Sequence, residues 1–515
     1  MFCKILSGGI MGVLACFVWV EVDMDRGLPC FSMVGSLGSG VRESRERVSV
    51  ALKNAGFAMP AARITVNLAP ADVRKEGTAF DLPIAMGILQ AMSYFPGNAA
   101  ENILFLGELG LNGELKKVHG VLPIVQAAAA AGVSQCIVPA ANAGEGAVIP
   151  GIVVRGAASV SQVLDFLRQS KAEEREQILP RTMADAGELL AAAEGCAEDF
   201  AQVSGQEMAK RAAEIAAAGF HNLLMTGPPG AGKSMIARRI PGILPPLTVQ
   251  ESLEVTGIYS VAGLLEDGQA LMSDRPFQNP HHTVSLAALI GGQAQPKPGL
   301  VSLAHRGILF LDELPEFGRN VIDSMRQPLE EHRVRIARTG GNVSYPADFM
   351  LICAMNPCPC GYFPDRNRCK CSETQILRYQ SKVSGPIVDR IDLWVELRAV
   401  DLSRLQEAAD EESTAAIRGR VERARARQQE RFAESGYRFN ADIRAEDMER
   451  FCPLGEGERR VMEQIYQSLQ LGARAYHRVL KVARTIADLA GEERIREEHL
   501  LEAAAYRPGE MGRNG

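Results

Sequence analysis

The chain has no long apolar run. Past its first two dozen residues, no segment holds the roughly 20 consecutive apolar residues of a membrane-spanning helix, so no membrane association is expected. An excess of one charge is also missing: 56 Lys and Arg stand against 62 Asp and Glu, a formal net charge of -6. Such a balance argues against a protein that coats nucleic acid over its whole surface, and it leaves room for a local basic loop inside a channel. A secreted disulfide framework is absent as well. The eleven cysteines are odd in number, with seven scattered (Cys3, Cys16, Cys30, Cys136, Cys196, Cys353, Cys452) and four crowded into one loop. That usage fits a reducing, cytoplasmic compartment. No internal repeat is visible, which sets repeat architectures aside.

What remains is globular material, 46% hydrophobic and 23% charged over 515 residues. Domains of roughly 100–200 residues divide such a length into three or four. The opening "MFCKILSGGIMGVLACFVWVEVD" contains a lysine, an apolar run and "VLAC", features of a lipoprotein leader. Alternation favours a strand instead. Phe17, Trp19, Glu21 and Asp23 fall on one side, while Val18, Val20, Val22 and Met24 form a uniformly apolar other side. Residues 1–168 continue to alternate strand-like runs ("RITVNLAP", "QCIVPA", "GIVVRG") with helix-like ones ("VRESRERVSVALKNAG", "DLPIAMGILQAMSYF", "VLPIVQAAAAAG"), which predicts a compact α/β or α+β domain. Residues 169–198 are charged, Ala-rich and free of strand signals, and read as a helical linker. Alternation returns over 199–400, the pattern from 401 to 510 is almost entirely helical, and 511–515 is a tail without core-forming residues.

The sharpest chemical signal is "HNLLMTGPPGAGKSMIARRI". A strand-like run enters Gly227-Pro228-Pro229-Gly230-Ala231-Gly232-Lys233-Ser234 and leaves as a helix, matching G-x-x-x-x-G-K-[ST] in its required context. Glycines let backbone N–H groups turn inward around phosphate oxygens, and the helix N-terminus adds partial positive charge. Lys233 is expected at the β- and γ-phosphates of ATP and Ser234 on Mg²⁺. "GILFLDEL" supplies the acidic strand tip: Asp312 for the magnesium shell, Glu313 to orient or activate the attacking water. A third strand, "FMLICAMN", ends at Asn356, where a polar side chain helps position water, although Asn is common at strand ends. Arg390 precedes the strand-like "DLWVEL"; it serves either as a finger reaching a neighbouring subunit's γ-phosphate or as a surface ion pair with Asp389 or Asp392.

Directly after Asn356 comes "CPCGYFPDRNRCKC". Cys358-x-Cys360 and Cys369-x-Cys371 flank an eight-residue turn. Four thiolates meet the count for a tetrahedral structural Zn²⁺ site, although C-x-C is tighter than the usual C-x₂₋₄-C arms. Free or redox-sensitive thiols are the alternative; disulfides are disfavoured in the cytosol. Two further features have bland alternatives. Arg418, Arg420, Arg423, Arg425, Arg427 and Arg431, interleaved with Glu422 and Glu430, read as a solvated helix face. His281 and His282 read as a structural turn whose rings point apart.

The set GPPGAGKS, RPFQNPHHTVSLAALIGG, SLAHRGILFLDELPEF, AMNPCPCG, SGPIVDRIDL and ARAYHRVLKVARTIADLAG resembles the magnesium-chelatase-like AAA+ ATPases. More closely, and over nearly the whole chain, the sequence resembles the YifB/ComM family, with "RITVNLAPADVRKEGTAFDLPIAMGIL" and "GELGLNGEL" matching in the first domain. The resemblance implies an α/β fold class: a Lon/S5-like α+β domain over 1–168, a P-loop AAA+ parallel-sheet core over 199–400 and a helical lid over 401–510. It assigns Arg474 as the sensor-2 arginine and Arg390 as the trans-acting finger. It further implies hexameric rings that couple ATP hydrolysis to DNA translocation and branch migration in natural transformation, on single-stranded or branched DNA. A Lon-like fold suggests a Ser–Lys protease, yet "EGTAFDLP" holds no serine and "VLPIVQAAAAAG" no lysine where the dyad would fall, so peptide hydrolysis by that route is excluded. Chelatase-like ATPases carry extra hairpins near "IGGQAQPKPGL", with Lys297, and near "HRVRIARTGGNVSYP". In the latter Arg333 and Arg335 share a strand face and "TGGN" would form the tip below Arg338; both places are candidates for phosphate contact or for packing between subunits. A chelatase-type motor acting through a partner protein and a protein-remodelling ATPase are the rival functions.

Overall fold

The computed structural model describes residues 1–192, 198–292, 297–338, 341–383, 385–399 and 411–507. The expected tail 511–515, the start of the expected lid at 401, Cys196 and the hairpin tip Thr339-Gly340 lie outside the described residues.

The opening segment is a hairpin. Strands β1 (Phe2–Met11) and β2 (Leu14–Asp25) pair antiparallel with Met11 opposite Leu14, and Gly12 supplies the positive φ, 70°, that so tight a turn requires. Val18, Val20 and Val22 are 0% exposed and Trp19 is 39% exposed, so the alternation is that of a half-buried strand. Then follow β3 (Cys30–Val34), β4 (Arg63–Ala69), β5 (Ile103–Phe105), a two-stranded ladder of β6 (Glu108–Leu109) and β7 (Leu115–Lys116), β8 (Gln135–Pro139) and β9 (Val153–Ala157). The main sheet is mixed and seven-stranded, in the order β3-β4-β2-β1-β5-β8-β9. Helices Ser39–Asn54, Asp81–Ala91 and Val121–Ala130 occupy the segments expected to be helical, and Asp81–Ala91 is buried along its whole length in the domain core.

The segment read as a helical linker is helical in two short pieces among its described residues, Ala172–Ile178 and Ala186–Ala191. It docks on the first domain: Leu179 is buried, and Arg155 of β9 pairs with Glu176 at 2.9 Å while donating to the Leu179 carbonyl.

The second unit contains β10 (Leu223–Thr226), β11 (Phe277–Gln278), β12 (Ile308–Leu311), an antiparallel hairpin of β13 (Arg333–Arg338) and β14 (Gly341–Pro346), β15 (Met350–Met355) and β16 (Leu393–Glu396). Apart from the hairpin these strands form one parallel sheet in the order β11-β12-β15-β10-β16. Strands β10, β12 and β15 are buried throughout, as parallel strands covered on both faces must be. Four longer helices follow, Thr414–Phe432, Glu456–Ser468, Ala473–Ala490 and Glu497–Ala505. Their apolar residues, among them Val421, Val479 and Leu500, join Leu223, Met225 and Ala213 in one core.

The arginine-rich helix departs from a solvated face. Arg418 donates to the Gly242 carbonyl, Arg420 pairs with Glu214 and Glu412, Arg425 lies 3.8 Å over the Phe439 ring, and Arg431 pairs with Asp488. These arginines tie the helical region to the core and to itself. Only tertiary packing reveals that, because the helix's own spacing is the same in either case.

Candidate nucleotide-binding site

Strand β15 lies between β10 and β12, and neighbouring strands are about 4.8 Å apart. Thr226 is opposite Met355 and Leu311 opposite Cys353, so the phosphate loop, Asn356 and Asp312 all leave the same carboxyl edge of the sheet. Such an edge is where parallel α/β sheets bind ligands. In the loop, Gly230 and Gly232 have φ of 78° and 92°, conformations that a side chain would strain. At Gly227 a Cβ would meet the Leu397 carbonyl oxygen at 2.6 Å. The helix Lys233–Ile243 starts immediately after, with its free N–H groups at the loop.

Lys233 is buried, and its ammonium donates to the carbonyls of Gly227 (2.5 Å) and Pro228 (3.0 Å) and to Oδ1 of Asn356 (3.0 Å). Burial lowers its pKa, and Asp312 and Glu313 pull the other way. Ser234 Oγ donates to Asp312 Oδ2 at 2.6 Å, and the Glu313 N–H donates to Asp312 Oδ1 at 2.9 Å. Glu313 itself adopts a left-handed φ of 52°, which swings its carboxylate out of the strand direction to an exposed position. Lys233, Ser234, Asp312, Glu313 and Asn356 are thus brought together.

Arg390 and Arg474 are not part of that group. Asn222 and Asp392 precede the paired residues Leu223 and Leu393, so Arg390 stands at the amino edge of the sheet. Four-residue strands at about 3.3 Å per residue put roughly 13 Å of strand between it and its own phosphate loop. It pairs with Glu330, where the sequence pointed to Asp389 or Asp392. Arg478, one turn beyond Arg474, lies 3.9 Å from Asp392 and holds the helix Ala473–Ala490 to the same edge. Arg390, Arg474 and Arg478 line one cavity of about 1110 Å³, which no residue of 227–234, nor Asp312, Glu313 or Asn356, lines.

Comparison with known proteins gives this geometry a family. Models described as magnesium chelatase, subunit ChlI, match residues 199–405, as subunit ChlI of Mg-chelatase residues 20–142, and as the ChlI C-terminal part residues 411–507. The competence protein ComM of Haemophilus influenzae is 41% identical over 508 residues, covering 98% of this chain and 97% of its own length. YifB of Salmonella typhimurium is 41% identical over 498 residues, 96% and 95% of the two chains. The chain belongs to the ComM/YifB family of magnesium-chelatase-like AAA+ ATPases. The magnesium-chelatase 38 kDa subunit of Rhodobacter capsulatus is a more distant relative, 25% identical over 31% of this chain and 50% of its own.

In this ComM/YifB chain the cysteine loop adjoins the phosphate loop. The four Sγ atoms of Cys358, Cys360, Cys369 and Cys371 lie within 4.8 Å of one another. Three separations, 3.4, 3.7 and 3.6 Å, are close to the ~3.8 Å edge of a tetrahedron built with Zn–S bonds of about 2.3 Å. The donor set therefore fits a zinc ion. A hydrogen bond from the Tyr362 backbone, with help from the other thiols, holds the Cys360 pKa down to about 6.

Reading the sequence of a ComM/YifB protein for motifs misses His282. The two histidine rings do not point apart: their centroids are 4.1 Å apart with the planes tilted by 35°, because residues 281–284 form a turn closed by the Val284 N–H on the His281 carbonyl at 2.9 Å. Nδ1 of His282 lies 3.7 Å from Glu313 Oε2. The available signal was topological: β11 pairs parallel with β12, so residues just past β11 come beside Glu313. No helix among the described residues is long and apolar enough to cross a membrane.

Proposed function

We propose that this chain is an ATP-driven DNA motor that works as a ring, moving branched or single-stranded DNA through its channel. The observation that carries the reading is the division of charged groups between the two edges of one sheet. The phosphate loop, Asp312, Glu313 and Asn356 occupy the carboxyl edge. Arg390 and Arg474 occupy the other. One copy then offers a triphosphate site without Arg390 and Arg474, and those two arginines away from its own phosphate loop. Stacking copies edge to edge completes both, with Arg390 and Arg474 acting on the neighbour's nucleotide.

In this reading Lys233 exchanges its carbonyl partners for β- and γ-phosphate oxygens. Ser234 and Asp312 would hold Mg²⁺, which supplies charge neutralisation at those phosphates when bound. Glu313 accepts the proton of the attacking water, and Asn356 orients that water while keeping Lys233 in place. Residues 199–400 form the motor core, 401–510 the lid and 1–168 a structural or partner-binding domain. Arg333 and Arg335 are exposed on β13 while Val334 and Ile336 are buried, which turns two cations outward from the hairpin for sequence-independent phosphate contact. The competence role in the printed name of the Haemophilus relative supports DNA as the substrate.

The test is branch migration by the purified protein with ATP, alongside ATPase rates with forked DNA. DNA stimulation that is lost in Glu313→Gln together with branch migration is the expected result. Turnover indifferent to any DNA but stimulated by a protein partner would overturn this reading in favour of a chelatase-type or remodelling motor.

A further inference from the structure

The loop from Pro357 to Cys371 has no regular secondary structure. The apolar cluster it contributes to consists of its own thiols with Tyr362, Phe363 and Ile376. A loop of this length and composition has little to hold it in one conformation. It nevertheless sits where the nucleotide site demands rigidity. Gly361, at φ 84°, packs so closely on the phosphate loop that a Cβ would come 2.5 Å from Cδ and 2.7 Å from Cγ of Pro229. The Gly361 N–H donates to the Cys358 carbonyl at 3.0 Å, so the residue touching the phosphate loop is set by the first cysteine. The next residue back along the chain, Pro357, has its carbonyl held by Gln380 at 3.0 Å, and Asn356 before it bonds Lys233 at 3.0 Å. Cys369, the start of the second arm, is fixed through its N–H to the Asp365 carbonyl at 2.8 Å.

The thiol geometry fits a tetrahedral site, and a structural metal is the device by which a coreless segment is given one conformation. We propose that Cys358, Cys360, Cys369 and Cys371 bind one Zn²⁺, and that the metal acts as a latch on the phosphate loop. By fixing Gly361 against Pro229, and Asn356 against Lys233, it makes nucleotide affinity depend on zinc occupancy. The latch half of this inference rests on the nucleotide-site reading above; the metal half does not.

The experiment uses the full chain purified under reducing conditions without chelator. Zinc is counted by elemental analysis, and affinity for a fluorescent ATP analogue with Mg²⁺ is measured by titration. The wild type is expected to carry one zinc per chain. Cys371→Ser is expected to lose it, to gain fast amide exchange over 357–371 and to bind the analogue at least fivefold more weakly. Gly361→Ala keeps every thiol, so it is expected to retain zinc yet lose affinity, because its methyl group displaces Pro229. Wild-type protein without zinc overturns the metal site. Zinc loss in Cys371→Ser with unchanged affinity, or an unaffected Gly361→Ala, overturns the latch. One zinc per chain in a wild type that binds no nucleotide supports the metal site and overturns the nucleotide-site reading, and the latch with it.

Discussion

Arg390 is held by Glu330 at the end of the helix Arg326–Glu331, and this pairing sets a measurable competition. An arginine that serves a neighbour's triphosphate has to leave its resting carboxylate, so Glu330 opposes catalysis to the extent that it binds Arg390. The size of the effect follows from exposure. The Arg390 side chain is 15% exposed but Glu330 is 58% exposed, which makes the pair a solvent-screened one. Such pairs contribute about 0.2–1 kcal/mol. Because about 1.4 kcal/mol is a factor of ten, removing the Glu330 contact raises the availability of Arg390 by at most about fivefold. Glu330→Gln, which keeps shape and removes charge, is therefore expected to raise ATP turnover by up to about fivefold, and Arg390→Ala to lower it by about 10³. The assay is steady-state ATP hydrolysis against protein concentration. A gain that comes from a trans-acting arginine vanishes at concentrations where rings do not assemble. Mixing Arg390→Ala with Lys233→Ala protein is expected to restore part of the activity, since each supplies what the other lacks. Were Glu330→Gln to reduce turnover tenfold, Glu330 would be an orienting partner and the competition argument would be wrong.

Four other outcomes are expected. Glu313→Gln retains affinity for ATP and loses at least about 100-fold in turnover, whereas Lys233→Ala weakens nucleotide binding itself by about 10–100-fold, the loss of one or two charge-assisted hydrogen bonds; equilibrium titration and single-turnover hydrolysis separate the two. His282→Ala lowers kcat by up to about tenfold with KM nearly unchanged, as fits a group that steadies Glu313 and does not touch substrate; an equal rise in KM would place it in binding instead. The hydrogen bond to Asp348, 3.0 Å away, raises the His332 pKa, so its stabilising effect is complete below the unfolded value of about 6.5 and disappears as pH rises through the raised folded value. Melting curves across that window are expected to show wild type and His332→Gln converging on the alkaline side, and a gap that widened there would contradict the assignment.

Sequence made the grouping of residues at the candidate phosphate site legible because each requirement there is local. Glycines at 230 and 232 answer a backbone demand, Lys233 and Ser234 follow at the start of a helix, and Asp312 ends a buried strand. Alternation likewise announced β2, since Val18, Val20 and Val22 need only their own spacing to declare a face. What stayed hidden depends on pairings between distant segments. His282 meets Glu313 only because β11 lies beside β12. The basic helix looked solvated because Glu214, Phe439 and Asp488, the partners of Arg420, Arg425 and Arg431, are 57 residues or more away in two cases and invisible to an i,i+4 count in all three. The linker's docking likewise depends on Arg155 reaching Glu176 from another element.

The same distinction bears on the first domain, which is fastened to the second unit by buried polar groups. Glu145 is buried, accepts from the Leu122 N–H at 2.9 Å and from Asn142 at 3.0 Å, and also accepts from Ser260 Oγ on the helix Val249–Ala262. The Ser260 carbonyl in turn accepts from the Gly120 N–H at 3.1 Å; the Lys117–Asp267 pair, 2.8 Å, lies outside this network at the surface, with Asp267 91% exposed. A network whose members satisfy one another in a low-dielectric interior resists piecemeal opening far more than exposed ion pairs do. A second contact lies at the hairpin turn of β1 and β2, where a Cβ on Gly12 would come 2.5 Å from Val343 Cγ1 of β14. The first domain thus braces both the helix that follows the phosphate-loop helix and the hairpin that carries Arg333 and Arg335. A freely tethered accessory module would need neither contact. Any movement of the hairpin relative to the sheet has to involve the first domain as well.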